Sequence, residues 1–576
     1  MIKYPKLKVL PTVRETTDVF KGYHRGARIG EGEFYEMENL CSDHFPILAP
    51  RAKRGVYASP EMAQGLIAKD EFCYIDGSDF VAGDRRVPLG LAKDGKTRSL
   101  ISMGAYVIVM PDKKYVNTAD LSDFGAIDAK VQTTAAVRFS LCGADGTDYE
   151  NVTAQGSIPS NPADRSYWLD TGAYPRVLRQ YHALSATWIS LSGVCMKLSS
   201  PGIGQPFFMG DGVYISGLRE TDVAALSGFQ SVMSCGDDYV IVNSFLCAPV
   251  TQSAEFPITV ERKMPDLDFI VESENRLWGC RYCDGGGEIY ACKRGDFKNW
   301  SSFVGSDNDS FAATVGTDGP FTGAVTHLGY PLFFKEGCVH TVYGDVPSNF
   351  QIRTTSLRGV QKGCSGSIAA VGETLYYKSR SGVCAYDGSL PEEISLALGD
   401  EPYGNAVAGA LGNKYYISMA DGKGEYHLFV YDTLRKLWHR EDGTHAADFC
   451  AYGGELYYID CATGQIRTVK GTGERDEAPI RWSATTGIIG MGSPDKKYVS
   501  RMDVRMKIDV GASVSFFAEY DSSGEYEYLC TLKGKQLQSF SVPIRPKRCD
   551  HFRLRIVGTG EAKILSICKT MEKGGE

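Results

Sequence analysis

Between Gly329 and Asp460 the chain repeats one hydrophobic pattern. A glycine opens a short apolar, aromatic run at Gly329-Tyr-Pro-Leu-Phe-Phe334, Gly372-Glu-Thr-Leu-Tyr-Tyr377, Gly412-Asn-Lys-Tyr-Tyr416 and Gly454-Glu-Leu-Tyr-Tyr458. The glycines recur every 40–43 residues. The runs at 329, 372 and 412 lead on to a second apolar strand: Lys335–Tyr343, Ser379–Tyr386 and Tyr426–Tyr431. A period of about 40–45 residues with several short strands per unit predicts the blades of a β-propeller. The physical reason is burial: a lone four-stranded sheet leaves one face wet, whereas sheets stacked on their neighbours cover both. Aromatic and β-branched residues suit that packing. A sandwich would space its turns at about 8–12 residues with no longer period.

The rest of the chain divides around this pattern. Residues 1–60 have little periodicity and read as an extended N-terminal arm. Residues 61–130 hold strand-and-turn signals, Glu71–Ile75 before Asp76-Gly77 and Ala105–Met110 before Pro111-Asp112, and read as the first part of the propeller. Residues 131–264 break the rhythm and read as an inserted small β-domain, in which Val131–Leu141 forms one strand. The propeller resumes over 265–475, with a hairpin around Gly285-Gly-Gly287. Residues 476–576 alternate apolar and polar positions over several short strands and read as a C-terminal β-sandwich. The expected class is therefore mainly β: a propeller with an inserted β-domain, an N-terminal arm and a C-terminal sandwich.

Composition refines this picture. A chain of 576 residues exceeds one core. Its 64 glycines and 58 Tyr plus Phe fit a turn-rich, aromatic β protein. No apolar run reaches the ~18 residues of a membrane span, and the N-terminus lacks the apolar stretch of a secretory signal. The 17 cysteines are odd in number and scattered, as expected of free thiols in a reducing compartment. The net charge of −8 is uneven. Residues 1–54 carry ten Lys/Arg against seven Asp/Glu, and residues 471–576 carry seventeen against fourteen, so the middle of the chain is strongly acidic. That balance excludes a general nucleic-acid binder.

Candidate chemistry is sparse. Cys280, Cys283 and Cys292 offer three thiols, but no fourth ligand follows at zinc spacing. Asp307-Asn-Asp309 and Asp145-Gly-Thr-Asp148 lack the full calcium-loop pattern, and Asx-turn chemistry accounts for them. His340, His427 and His439 lie in or beside predicted strands and read as packed or hydrogen-bonded histidines. No nucleophile elbow, phosphate loop or His-Glu-x-x-His occurs. The expectation is no catalytic residue, no cofactor site and no metal site, hence no enzyme.

Four sets of segments carry a resemblance. They are Gly32–Arg51; Arg276-Leu-Trp-Gly with Ile289–Trp300; Leu332–Glu336 with Tyr343–Phe350 and Ser381–Gly388; and Val430–Arg440. Together they resemble the propeller-containing virion proteins of tailed bacteriophages, of the packaged-DNA stabilisation, tail-nozzle or tail-hub type. The resemblance implies a non-enzymatic virion component of the tail or head–tail region. It implies a ring of copies along the DNA exit path, contacts with neighbouring tail or adaptor proteins, and at most non-specific contact with DNA in a lumen. An acidic lumen would let DNA slide rather than adhere. Two other readings stand beside it: a receptor- or glycan-binding propeller protein, and a propeller glycoside hydrolase acting through paired carboxylates.

Overall fold

The computed structural model describes residues 12–573 apart from 27, 474–476, 491, 493–494 and 546. The described residues are almost all strand, turn and loop; three short 3-10 turns, Thr221–Leu226, Ser365–Ser367 and Leu396–Leu398, are the helical pieces among them. The expected mainly-β class is thus observed. None of the seventeen cysteines forms a disulfide. The chain divides into two compact units, one of residues 1–97, 334–339 and 355–576, the other of residues 98–333 and 340–354.

In the first unit, four-stranded antiparallel meanders cover residues 63–87, 369–393 and 404–440. A fourth combines Ala446–Tyr452, Glu455–Asp460 and Ile466–Thr468 with Gly55–Ala58 from the N-terminal part of the chain. These sheets pack face to face. Tyr457 and Ile466 meet Leu66 and Phe72, while Tyr416 and Val430 meet Leu456 and Tyr458. Tyr376 lies against Tyr415 at 5.3 Å between ring centres. The repeated glycines sit in the first hairpin turn of their sheets, with φ of +62° at Gly372, +59° at Gly412 and +78° at Gly454 in this unit and +84° at Gly329 in the second. A Cβ at any of the four would touch nothing within 4 Å. The requirement is therefore the left-handed backbone of a tight hairpin, not space.

In the second unit, four-stranded meanders cover 99–126, 269–315 and most of 323–356, and again pack by their faces. Between Phe124–Ala126 and Phe269–Ser273 the chain builds a separate β body from Ala129 to Arg262. It has an eight-stranded sheet, a four-stranded sheet over 152–190, and its own core around Phe139, Leu169, Met196 and Val240. The single strand expected over 131–141 is two, Ala129–Gln132 and Val137–Cys142. They pair with different partners, Thr259–Arg262 and Cys195–Ser199, so the chain must break between them.

The C-terminal region is a sheet organised by the 24-residue strand Lys497–Tyr520. Its first half pairs with Ala562–Lys573 and its second with Phe552–Thr559, while Glu527–Val542 runs along its other side. Val499, Met502, Val504, Met506 and Ile508 point inward, and Arg501, Arg505 and Lys507 outward, as period-2 alternation requires.

The extended arm expected over residues 1–60 is, in its described part, built into the fold. Thr12–Thr17 pairs with Ala562–Lys573, and Glu33–Glu38 pairs with Arg481–Thr486, so both complete the C-terminal sheet. Phe34 and Met37 are buried there. Weak periodicity misled because these short strands are each completed by residues more than 400 positions away.

After these strands the segment docks on the outer edge of the 404–440 sheet. Ser42 Oγ donates to the fully buried Asp432 at 2.6 Å, and the Asn39 amide donates to the Glu441 carbonyl at 2.5 Å. Arg51 and Arg54 then enter a buried charge cluster. Arg51 grips Glu477 with both terminal nitrogens, at 2.7 and 2.9 Å, and reaches Asp442 at 3.2 Å. Arg54 meets Glu441 at 2.8 Å and Asp442 at 3.0 Å, and lies over the Tyr458 ring. Burial opposes ionisation of Asp442 and Glu477, but the guanidiniums prevail and hold both carboxyls below their usual range. Backbone amides satisfy part of the remaining negative charge: Arg54 N donates to Glu477 at 2.8 Å and Thr444 N to Asp442 at 3.0 Å.

A second buried carboxyl has the opposite character. Irregularities in the strands Ala446–Tyr452 and Ala63–Ala68 leave room for Asp448, which accepts from the Leu66 and Phe449 amides at 2.9 Å each. The residue is half-buried, but its carboxyl is enclosed; burial outweighs the two amides and pushes its pKa up to about 7.

Two outcomes follow for stability. Arg54→Ala takes the 2.8 Å cation from buried Glu441 and leaves Asp442 to Arg51 alone, and should cost about 3–5 kcal/mol in urea denaturation. Asp448 carries its proton in the folded chain up to about pH 7, whereas the unfolded chain releases it near its ordinary value of 3.8. Its burial therefore costs little at pH 4, and the cost grows as pH rises to 7. Asp448→Asn should gain stability relative to the parent between pH 5 and pH 8; a pH-independent difference in melting temperature would refute the assignment.

Candidate functional site

The residues singled out from sequence do not converge. Cys280 packs on one face of its sheet with Trp278 and Ile289, and Cys292 on the other face with Leu277 and Trp300. Two thiols on opposite faces cannot share a metal. Asp309 accepts from the Gly305 and Ser306 amides at 2.6 and 3.0 Å, and the carbonyls of Asp307 and Asp309 receive the buried Arg276 guanidinium at 2.9 and 2.6 Å. A guanidinium thus takes the oxygens that a calcium ion would need. Asp145 is likewise engaged by Thr147, at 3.0 Å from its amide and 2.9 Å from its hydroxyl. His340 is buried between Thr317 and Thr354, each 2.9 Å from a ring nitrogen. Burial pushes the pKa of His439 down to about 3, so it is neutral at any physiological pH.

His427 belongs to a cluster that sequence reading left unassembled. Asp421, Glu425 and His427 offer ligand atoms within 4.8 Å of one another, the one such group of three among the described residues. They lie at the tip of the hairpin joining Lys414–Ala420 to Tyr426–Asp432. The donor set argues against a cation. Arg440 can only donate, so at 3.0 Å it occupies the Nδ1 lone pair of His427. Nε2 then carries the proton and donates to Asp421 at 3.2 Å. The other oxygen of Asp421 accepts from the Lys423 and Glu425 amides at 2.9 Å each. Against burial, these bonds hold the Asp421 carboxyl below its usual range. The cluster closes a turn.

The strongest candidate site is a cleft of about 470 Å³ in the second unit, between the inserted body and the 269–315 sheet. Strand register builds one wall. Lys130 stands opposite Glu261, Glu261 opposite Tyr214, and Tyr214 opposite Phe229, a straight row across four strands. The inward partners Val213, Ile215 and Val260 fill the core, so period-2 alternation turns Tyr214 and Glu261 outward. The other wall holds Tyr290, Phe303 and Arg281. Arg281 lies over the Tyr290 ring, and both are fixed by Glu288, at 2.5 Å from Arg281 Nε and 2.6 Å from the Tyr290 hydroxyl. These bonds hold Glu288 below the usual carboxylate range.

The back of the cleft is rigid. Asn299 ties the walls together, its amide nitrogen donating to the Gly210 carbonyl at 2.6 Å and its oxygen accepting from Gly212 N at 3.1 Å. A Cβ on Gly212 would stand 2.2 Å from the Ser301 carbonyl, so only glycine allows this approach. The buried pair Arg262–Asp211, at 2.5 Å, anchors the same corner.

Three large aromatics remain open to solvent around the cleft: Phe229 is 62% exposed, Phe303 57% and Tyr214 38%. The Glu261 and Lys263 side chains have no hydrogen-bond partner among the described residues, whereas Asp266 takes Lys113 at 2.6 Å. The lone signal in sequence was the outward phase of Tyr214 in Gly212–Ser216; its neighbours in the row lie in strands far apart along the chain.

No protein-family model matches the chain, and no curated protein does. Some solved structures are weakly similar. An exo-β-1,3-galactanase from Phanerochaete chrysosporium is 8% identical over 52% of this chain and 94% of its own, with a TM-score of 0.21. A putative 6-phosphogluconolactonase from Bacteroides fragilis is 11% identical over 59% and 96%, with a TM-score of 0.23. The phage phi92 endosialidase is 12% identical over 77% and 74%, with a TM-score of 0.20. Likenesses this weak carry no argument about activity.

The donor set of the 421–427 cluster gives a direct test. Added Ca²⁺ or Zn²⁺ should leave the melting temperature unchanged, and His427→Ala should cost about 1–2 kcal/mol through the bonds lost to Asp421 and Arg440. A rise in melting temperature with either metal that His427→Ala abolishes would contradict this.

Proposed function

We propose that the chain is a non-enzymatic structural protein of a tailed-phage virion, a propeller-based component of the tail or head–tail region that works as a ring of copies. On this reading the face-to-face meanders are propeller blades, and the strand Gly55–Ala58 completes the last of them. One observation carries the proposal. Two of the segments behind the resemblance, Gly32–Arg51 and Val430–Arg440, lie far apart in sequence yet meet at Ser42–Asp432, 2.6 Å, and at Arg435 over the Phe45 ring. They join the N-terminal segment to one meander and, through it, to the C-terminal sheet of the same chain. The partners on this reading are other copies, in closed heterologous interfaces, and neighbouring tail proteins. DNA passes without specific contact.

The C-terminal sheet also offers an edge. Among the described residues Glu527–Val542 pairs on one side only, with Lys497–Tyr520, and its side chains are mostly exposed. An unpaired edge of that length suits strand addition from a neighbouring copy.

Mass photometry and negative-stain microscopy of the purified full chain test the reading. The expected result is closed rings of one copy number, lost when Tyr528→Lys with Leu537→Lys places charge along the open edge. A monomer at all concentrations that hydrolyses glycans would overturn it.

A further inference from the structure

We infer that the cleft between the inserted body and the 269–315 sheet binds an uncharged, polyhydroxylated ligand, a chain of neutral pyranose sugars. Its volume of about 470 Å³ and its aromatic walls with a few polar groups are those of a small-ligand site. The chemistry of the groups narrows the ligand. Phe229, Tyr214 and Phe303 present broad apolar ring surfaces to solvent. Such surfaces suit a ligand that is flat and apolar on one face and polar at its edge, which a pyranose is.

Charge narrows it further. The cleft mixes Glu261 and Asp266 with Lys263 and Arg281, so neither a polyanion nor a polycation meets a complementary field. A phosphate-bearing ligand would meet carboxylates and cations in equal number, with Arg281 already held by Glu288. A purely apolar ligand would cover Glu261 and Lys263 and leave an acceptor and a donor unmade at a cost. Hydroxyl groups donate and accept, so they satisfy both residues at once. The walls are already set, because Asn299, Gly212 and Glu288 fix them before any ligand arrives. Little ordering cost is left to binding.

The test uses the full chain on an array of neutral and sialylated oligosaccharides, followed by calorimetry with the strongest neutral oligosaccharide. The expected result is binding to neutral glycans, weakened about tenfold or more by Phe229→Ala and by Phe303→Ala. Both side chains are exposed, so truncation should leave the melting temperature intact. Tyr174→Ala, at a 93%-exposed aromatic elsewhere on the inserted body, should bind as the parent does. Glu261→Gln should weaken binding without changing the preference for uncharged glycans. Absence of binding across the array, binding confined to sialylated glycans, or binding that survives both phenylalanine truncations would each overturn the inference.

Discussion

Two buried arginines hold the first unit's pieces to one another. Arg51 and Arg54 are 4% and 3% exposed, and face Glu441, Asp442 and Glu477. Removing that many charges from water costs several kcal/mol per ion. What offsets it is geometry: a two-pronged grip on Glu477, shared contact with Asp442, and amide donors on the remaining oxygens. The cluster joins three distant parts of the chain, the N-terminal segment, the end of the 404–440 sheet and the entry to the C-terminal sheet. An apolar contact would join them as strongly, but with less demand on register; a guanidinium that must meet named carboxylates admits one arrangement.

The repeat was legible because its physics is local. At Gly329, Gly372, Gly412 and Gly454 a glycine at positive φ, followed by an apolar run, marks the first hairpin of a four-stranded meander. The C-terminal alternation was legible for the same reason: Val504 to Ile508 show the period of a half-buried strand, although the expected short strands Val504–Ile508 and Val514–Tyr520 are parts of the one 24-residue strand Lys497–Tyr520. The arm was misread because its order is supplied from outside. Phe34 and Met37 are buried by strands that follow hundreds of residues later, and nothing in the spacing of Glu33–Glu38 reveals it. The break between Gln132 and Val137 was missed likewise, since it follows from a change of partner strand.

The aromatic cleft was illegible for a related reason. Lys130, Glu261, Tyr214 and Phe229 become neighbours only through the register of four strands. The cysteines, acidic pairs and histidines that sequence reading did single out are instead absorbed by the fold: Arg276 fills the carbonyl cradle beside Asp309, and Arg440 claims the free nitrogen of His427. The residues with chemical potential are thus mostly engaged in structure, and the open, pre-set surface lies at the cleft.

Native-state amide hydrogen exchange over the N-terminal segment tests the central claim most directly. If the segment is an integral part of the fold locked by Arg51 and Arg54, peptides covering 33–54 exchange as slowly as those covering 437–442, and Arg54→Ala releases both together. Exchange of 33–54 within seconds, while 437–442 stays protected, would contradict the account.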